Sequence, residues 1–202
     1  MPMKICLVGD KGVGKSCIAQ RLIHDEFNKQ VKSTIGRVFF HKELTMKEGT
    51  FTVYIWDTAG EERYLALAPL YYRNASAIVL VYDITDEESF SNLQKVWVPA
   101  VQSCSDPNIA LAVVGNKLDL EETGRGVSTE EARGYADILE AVFLETSAKT
   151  GHNVERVFTE LVLRISSSQL KDEEEKLKTS IKVSDWDSKP VKKHKSSCNC
   201  HR

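Results

Sequence analysis

The stretch that decides the fold is Gly9-Asp10-Lys11-Gly12-Val13-Gly14-Lys15-Ser16, which matches the pattern G-x-x-x-x-G-K-[ST]. An apolar, β-branched run at residues 5–8 precedes it, and apolar residues at helical spacing follow it over residues 15–24. Glycines let successive backbone N–H groups and the helix N-terminus point at an anion, to which a lysine adds a point charge. A glycine-rich turn that binds nothing would leave the Lys-Ser pair without a reason. The stretch therefore predicts a phosphate-binding loop, with contacts from Gly9, Lys11, Gly12, Val13, Gly14, Lys15, Ser16 and Cys17.

Outward from this loop, short apolar runs alternate with helical stretches. Strand-like runs occupy residues 5–8, 38–46, 51–56, 77–82, 109–114 and 142–144, and helical spacing occupies residues 15–24, 89–102, 129–139 and 153–165. This alternation predicts a mostly parallel sheet covered by helices on both faces. Residues 47–50 are typical of a hairpin turn, which makes one edge of the sheet antiparallel. We therefore predict a three-layer, six-stranded α/β domain over residues 1–166.

Composition limits the alternatives. The 202 residues suit one α/β domain with an appendage, and a formal charge of −2 gives no general bias toward nucleic acid. The chain has no apolar run long enough to span a membrane and no signal-peptide core, so we expect a cytosolic protein. Its five cysteines have neither disulfide-framework nor zinc-ribbon spacing. Residues 167–202 are rich in Ser, Lys, Glu and Asp, which predicts a disordered tail.

A second motif predicts a metal site beside the phosphates. The strand-like run at residues 51–56 leads into Asp57-Thr58-Ala59-Gly60. Asp57 and the Ser16 hydroxyl are oxygen ligands of the kind that Mg²⁺ prefers, and the Gly60 N–H can bind a terminal phosphate. A phosphate loop followed by this motif favours a nucleoside triphosphate with Mg²⁺ as the ligand.

Two further motifs predict the base. Asn116-Lys117-Leu118-Asp119 follows the strand at residues 109–114, at the carboxyl edge where doubly wound sheets bind ligands. The Asp119 carboxylate can accept from the N1–H and exocyclic amine of guanine, and such a site rejects a base that lacks these donors by a factor on the order of 10⁴. The backbone N–H groups of Ser147-Ala148-Lys149 can bind the guanine carbonyl. Either motif taken singly is equally consistent with a solvated loop, but both after a phosphate loop predict guanine.

In this order and spacing, the motifs resemble those of the Ras superfamily over residues 4–166. Residues 34–36, 71–75 and 80–85 are similar to Rab-family segments, and residues 67–73 look most like those of early-endosomal Rabs. The resemblance implies that Thr34 ligates Mg²⁺ and senses the γ-phosphate, and that Phe27 packs on guanine. It also implies that segments near residues 30–40 and 58–73 order with GTP and loosen with GDP.

The same resemblance implies partners and an effector surface. The implied partners are a guanine nucleotide exchange factor, a GTPase-activating protein, effectors, a GDP-dissociation inhibitor and a Rab escort protein. The implied effector residues are Ile35, Gly36, Phe39, Trp56 and Tyr71. For the three aromatic residues, simple burial in the core is the alternative.

Two residues depart from the family pattern. Glu61 stands where the family usually has a glutamine that orients the attacking water. An ionised glutamate only accepts hydrogen bonds and adds negative charge beside the γ-phosphate, so slow intrinsic hydrolysis is predicted. Lys11 replaces a mostly small residue and would obstruct an activating arginine or partly replace its charge. The alternative is that Lys11 points to solvent and Glu61 lies in a mobile loop, which leaves the rates ordinary.

The C-terminal segment predicts membrane attachment. Residues 189–202 carry basic residues and no acid, and Cys198 and Cys200 resemble the doubly geranylgeranylated ends of Rab tails. Basic residues and two lipid chains together supply the two signals that stable anchoring needs. The resemblance thus implies that the protein is found in the cytosol and on the cytoplasmic face of endomembranes, with endosomes as the implied compartment. A solvated tail and a metal site of His194, Cys198, Cys200 and His201 are the alternatives.

These predictions combine into a membrane-recruited GTP/GDP switch of vesicle traffic. Hydrolysis would proceed by in-line attack of water on the γ-phosphorus, with catalytic roles for Lys15, Thr34, Gly60 and Glu61. One rival is a pseudo-GTPase that binds nucleotide and serves only as a docking module. A P-loop kinase or ATPase is a second rival, which Asp119 disfavours.

Overall fold

The structure, a computed structural model, describes residues 2–28, 34, 36–60 and 68–184. Its strands are β1 (Met3–Val8), β2 (Arg37–Met46), β3 (Gly49–Thr58), β4 (Ala77–Asp83), β5 (Ala110–Asn116) and β6 (Val142–Glu145). They form one six-stranded sheet in the order β2-β3-β1-β4-β5-β6. The β2–β3 pair is antiparallel and every other pair is parallel, so the predicted sheet is confirmed.

The β2–β3 hairpin is tighter than predicted. Met46 pairs with Gly49, so only Lys47 and Glu48 lie in the turn. Gly49 opens β3 with φ at 137°, a backbone conformation that favours glycine because other residues carry a Cβ. The turn thereby fixes the register in which Phe39 lies opposite Trp56.

Helices connect the strands. They are α1 (Lys15–His24), α2 (Ala68–Tyr72), α3 (Glu87–Asn92), α4 (Val98–Cys104), α5 (Glu121–Gly124), α6 (Thr129–Ile138) and α7 (Val154–Ser184). A π-helical segment, Leu93–Trp97, joins α3 to α4, so the single predicted helix at residues 89–102 has three parts. Side-chain caps define two starts: Asp86 accepts from the N–H groups of Glu88 and Ser89, and Ser128 accepts from that of Glu131.

The core lies on both faces of the sheet. Successive β1 side chains alternate between the faces, so Ile5 and Leu7 belong to one apolar cluster and Cys6 and Val8 to the other. Helix α1 and the first turns of α7 cover the first face, with Ile18, Leu22, Phe158 and Leu161 among the buried residues. Residues of α3, α4 and α6 cover the second face. This double covering forces ligand-binding groups to the edge where the parallel strands end.

The last helix is longer than predicted. Helical spacing predicted an end at residue 165, but α7 continues to Ser184. Residues 166–184 contain Leu, Lys and Glu but no Gly or Pro, so local helix propensity persists although apolar residues become few. The scarcity of apolar residues in this segment predicts that it lacks a hydrophobic core, but a segment without a core can still be helical. The chain divides into two units, Met1–Ile165 and Ser166–Arg202.

Candidate functional site

A cavity opens at the carboxyl edge of the sheet. Its volume is about 380 Å³, and it is lined by Gly12, Gly14, Cys17, Phe27, Asn28, Asn116, Lys117, Asp119, Leu120, Ala148 and Lys149. The lining brings together the loop after β1, the motif after β5 and the loop after β6, which are far apart in sequence. Cys17 is half-buried there, and burial raises the pKa of its thiol. The cavity lies where the two predicted base motifs meet the phosphate loop.

Two glycines of the phosphate loop are required by packing. Gly9 has φ at 141° and Gly14 has φ at 100°. A Cβ on Gly9 would collide with the Val81 carbonyl oxygen, and a Cβ on Gly14 would collide with the side-chain amide of Asn116. The loop therefore packs against β4 on one side and against the base motif on the other. Lys11, the unusual residue of the loop, is exposed.

Lys15 lies beneath this loop with its charge turned inward. Its side chain is 5% exposed, and its Nζ donates to the carbonyl oxygens of Gly9 (2.8 Å) and Asp10 (2.6 Å). Burial lowers the pKa of Lys15 to about 8, whereas the nearby charges of Asp57 and Asp10 act to raise it. Gly60 lies directly against the Lys15 amine, where a Cβ would clash with it. A desolvated ammonium of this kind is strongly stabilised by a phosphate that comes into its reach.

The three predicted magnesium ligands meet beside Lys15. The Ser16 hydroxyl donates to Asp57 Oδ2 (2.5 Å) and lies 2.9 Å from the Thr34 hydroxyl, which is 3.3 Å from the same Oδ2. Asp57 is 1% exposed, and its other oxygen, Oδ1, is buried with no hydrogen-bond partner in the described structure. Burial raises the pKa of Asp57, although bonds from Ser16 and the charge of Lys15 oppose the shift.

This arrangement fits Mg²⁺. An unpaired buried carboxylate oxygen is costly unless a cation or donor satisfies it, and two hydroxyls beside one carboxylate form the all-oxygen donor set of a hard cation. Within the described residues, no group of three or more His, Cys, Asp or Glu side chains is placed to hold a metal. The two hydroxyls and one carboxylate leave positions for water and phosphate ligands, which Mg²⁺ usually takes.

Asn116 is a brace between the loops of the cavity. Its Nδ2 donates to the Val13 carbonyl (2.8 Å), and its Oδ1 accepts from the Thr146 hydroxyl (3.2 Å) and the Ala148 N–H (3.2 Å). The side chain is 1% exposed, so these bonds are shielded from water. These bonds join the phosphate loop to the loop after β6, and the predicted contact of Asn116 with the nucleotide stays a prediction.

Asp119 points its carboxylate into the base end of the cavity. Its Oδ1 accepts from the Ser147 hydroxyl (2.6 Å), and its Oδ2 lies 3.4 Å from the Lys149 amine. Partial burial opposes ionisation, but the bonds from Ser147 and Lys149 outweigh it and lower the pKa of Asp119. The carboxylate is therefore ionised at neutral pH and oriented, which is the state needed to accept two hydrogen bonds from a base edge.

Two further residues hold this end of the cavity. Lys117, which has φ at 69°, forms an ion pair with the buried carboxylate of Asp83 at the end of β4. Arg21 of α1 donates to the carbonyl oxygens of Ala148 (2.9 Å) and Lys149 (2.8 Å). The sequence analysis did not identify Asp83 or Arg21 as part of the site. Asp83 could have been found from its place at the carboxyl end of a strand, but nothing in the sequence pointed to Arg21.

The predicted effector aromatics differ in exposure. Phe39 is 54% exposed and stacks on Tyr54, with ring centroids 5.3 Å apart. Trp56 is half-buried, with the Lys4 amine 3.9 Å and the Arg37 guanidinium 4.3 Å from its ring centroid. Tyr71 is 9% exposed and packs within the core, so the burial alternative describes it. Phe39 is thus the aromatic side chain of this group that faces solvent.

Some predicted positions lie elsewhere. The Gly36 carbonyl accepts from the Ala59 N–H (2.9 Å), which joins the segment before β2 to the segment after β3. Ile35, Glu61, Cys198 and Cys200 lie outside the described residues, as does the alternative metal site that included His194 and His201. In the part of the chain that the structure describes, no helix has the length and apolar character needed to cross a membrane.

Comparisons with known proteins identify the family. The Ras family model matches residues 4–167. The chain is 46% identical over 166 residues to "Ras-related protein Rab-22A" of Homo sapiens. The matched region covers 82% of this chain and 84% of that protein. It is 46% identical to "Ras-related protein RHN1" of Nicotiana plumbaginifolia and 45% identical to "Ras-related protein Rab5" of Nicotiana tabacum, each over 82% of both chains. The chain belongs to the Ras family and is a Rab-type small GTPase, a vesicle-trafficking switch that binds GTP or GDP with Mg²⁺, hydrolyses GTP and works with regulators and effectors.

Proposed function

We propose that this GTPase is a slowly hydrolysing switch recruited to endosomal membranes. The observation that supports a switch best is the position of Thr34. Its hydroxyl joins Ser16 and Asp57 at the metal cluster, while the chain that follows it leads into β2, which carries the exposed Phe39. A ligand that holds Thr34 therefore acts on the same segment that presents an aromatic surface to partners.

Each side chain of the site has a role in this proposal. Ser16, Thr34 and Asp57 would hold Mg²⁺, which would neutralise charge on the phosphate oxygens. Lys15 leaves the Gly9 and Asp10 carbonyls and binds the outer phosphates, and the Gly60 N–H donates to the γ-phosphate. Asp119 accepts from guanine, Phe27 packs on its ring, and the loop at Ser147, Ala148 and Lys149 donates to its carbonyl.

Slow hydrolysis follows from Glu61. The water that attacks the γ-phosphorus in line is best oriented by a side chain with two functions. The side chain accepts a hydrogen bond from the water, and it donates a hydrogen bond to the phosphoryl oxygens. An ionised glutamate accepts but does not donate, and its charge repels the triphosphate. The GTP state should therefore persist longer than in a relative with glutamine at this position.

Single-turnover hydrolysis of preloaded GTP tests this idea. The Glu61→Gln variant should hydrolyse GTP about tenfold faster than the wild type, since about 1.4 kcal/mol of transition-state stabilisation gives that factor. Glu48→Gln makes the same chemical change at an exposed turn and should leave the rate unchanged. If Glu61→Gln hydrolyses at the wild-type rate, the slow-switch idea fails. No turnover in either protein, with or without an activating protein, would favour the docking-module alternative.

Membrane recruitment rests on the C-terminal cysteines and on the relatives named Rab-22A and Rab5. We expect Cys198 and Cys200 to take prenyl chains after delivery by a Rab escort protein, and a GDP-dissociation inhibitor to extract the GDP form. An exchange factor and a GTPase-activating protein would set the nucleotide state. A fluorescent fusion should label endosomal membranes and become diffuse after Cys198 and Cys200 are both replaced by Ser. An unchanged pattern in that double variant would contradict prenyl anchoring.

A further inference from the structure

The second residue of the phosphate loop is tied to the helix that follows β4. Asp10 Oδ2 accepts from Asn92 Nδ2 (2.8 Å), and Asp10 Oδ1 accepts from Trp97 Nε1 (2.6 Å). Trp97 is 3% exposed, and Asp10 and Asn92 are both partly buried. Hydrogen bonds to a charged group away from water are among the stronger ones in proteins. Both oxygens of one carboxylate are therefore held by residues more than 80 positions away.

The π-helical segment explains how two residues five apart reach one carboxylate. In an α-helix, successive residues are about 100° apart, so residues five apart point about 140° away from each other. Here the Val98 N–H donates to the Leu93 carbonyl, an i→i+5 bond that widens the turn. This widening brings residues five apart toward one face, and Asn92 and Trp97 both face Asp10. Single π turns are rare in proteins, but those that occur are often found at functional sites.

Asp10 also contacts Lys15, the residue that is proposed above to bind the outer phosphates. Its carbonyl oxygen accepts from the Lys15 amine (2.6 Å), and that same carbonyl lies against Gly60. When Lys15 turns to a phosphate, the loop loses the two internal bonds that the amine makes with Gly9 and Asp10. The bonds from Asn92 and Trp97 do not involve Lys15, so a turn of Lys15 toward a phosphate does not itself break them.

We propose that Asn92 and Trp97 are positioning residues for the phosphate loop: by binding the Asp10 carboxylate, they hold the loop in its nucleotide-binding shape and slow nucleotide release. The proposal rests on the guanine-nucleotide binding established above and assigns the π turn a role in nucleotide retention.

Release of fluorescent GDP in the presence of Mg²⁺ tests the proposal. Retention by the wild type is measured first, so that failure of this proposal is distinguishable from failure of nucleotide binding. Trp97→Phe keeps a packed ring but removes the N–H donor, and we expect release about tenfold faster. Lys95→Ala, an exposed position in the same π turn, is the matched control and should release GDP at the wild-type rate.

An exchange of partners separates positioning from general damage. Asn92→Asp sets two carboxylates against each other and should speed release at least as much as Trp97→Phe. Adding Asp10→Asn restores an amide–carboxylate pair, and the new amide oxygen can still accept from Trp97, so release should return to within about threefold of the wild type. Release from the double variant as fast as from Asn92→Asp would overturn the proposal. So would a lowered Tm of the nucleotide-free Trp97→Phe protein with an unchanged release rate, because the pair would then be only structural.

Discussion

Replacing Asn116 with alanine should weaken GDP binding by about two orders of magnitude. The side chain makes three buried hydrogen bonds, to the Val13 carbonyl, the Thr146 hydroxyl and the Ala148 N–H. Each buried group that loses its partner costs about 1–3 kcal/mol. Val13 and Ala148 belong to the two loops that enclose the cavity, and water that enters the cut-back site recovers part of the loss. The lower end of the range is therefore appropriate, about 3 kcal/mol in total, or roughly a hundredfold in Kd.

The assay is association and dissociation of fluorescent GDP at fixed Mg²⁺, from which Kd is the ratio of the rates. We expect most of the change in the dissociation rate, because the brace acts after the loops have closed on the nucleotide. Asn108→Ala is the control, since Asn108 is exposed and precedes β5 at the end of the strand away from the cavity. If Asn116→Ala binds GDP within threefold of the wild type, the brace does not organise the site and the reasoning is wrong.

Two further predictions concern the metal cluster and the core. Asp57→Asn keeps an oxygen that accepts from Ser16 and Thr34 but removes the negative charge that binds Mg²⁺. Chelation of Mg²⁺ should therefore no longer accelerate GDP release from this variant. If chelation accelerates release as much as in the wild type, Asp57 is not a Mg²⁺ ligand. Burial raises the pKa of the Cys6 thiol to about 12 from an ordinary value of 9.0, so above pH 9 the unfolded chain loses a proton that the folded protein keeps. The stability of the wild type, compared with Cys6→Ala by denaturant unfolding, should therefore fall as pH rises above 9, by up to about 1.4 kcal/mol per pH unit, and parallel pH profiles would refute the assignment.

The sequence by itself determined the order of the elements and the ligand class. The phosphate loop, the acidic turn after β3 and the motif after β5 each follow a strand, and local periodicity is enough to locate strands and helices. Because parallel strands end at one edge, the joint presence of Ser16, Asp57 and Asp119 at that edge also followed from the sequence. The last helix was predicted to end at residue 165, and α7 continues to Ser184 because helix formation there depends on local propensity.

Tertiary structure alone decided which side chains hold the site in shape. Arg21 reaches Ala148, Asn116 reaches Val13, and Trp97 reaches Asp10 across 127, 103 and 87 positions of the chain. No local pattern encodes such pairs, because each depends on the relative placement of two elements that pack on the sheet independently. The exposure of Phe39 and the burial of Tyr71 were undecided for the same reason, since an aromatic residue has the same sequence signal in the core and at a surface.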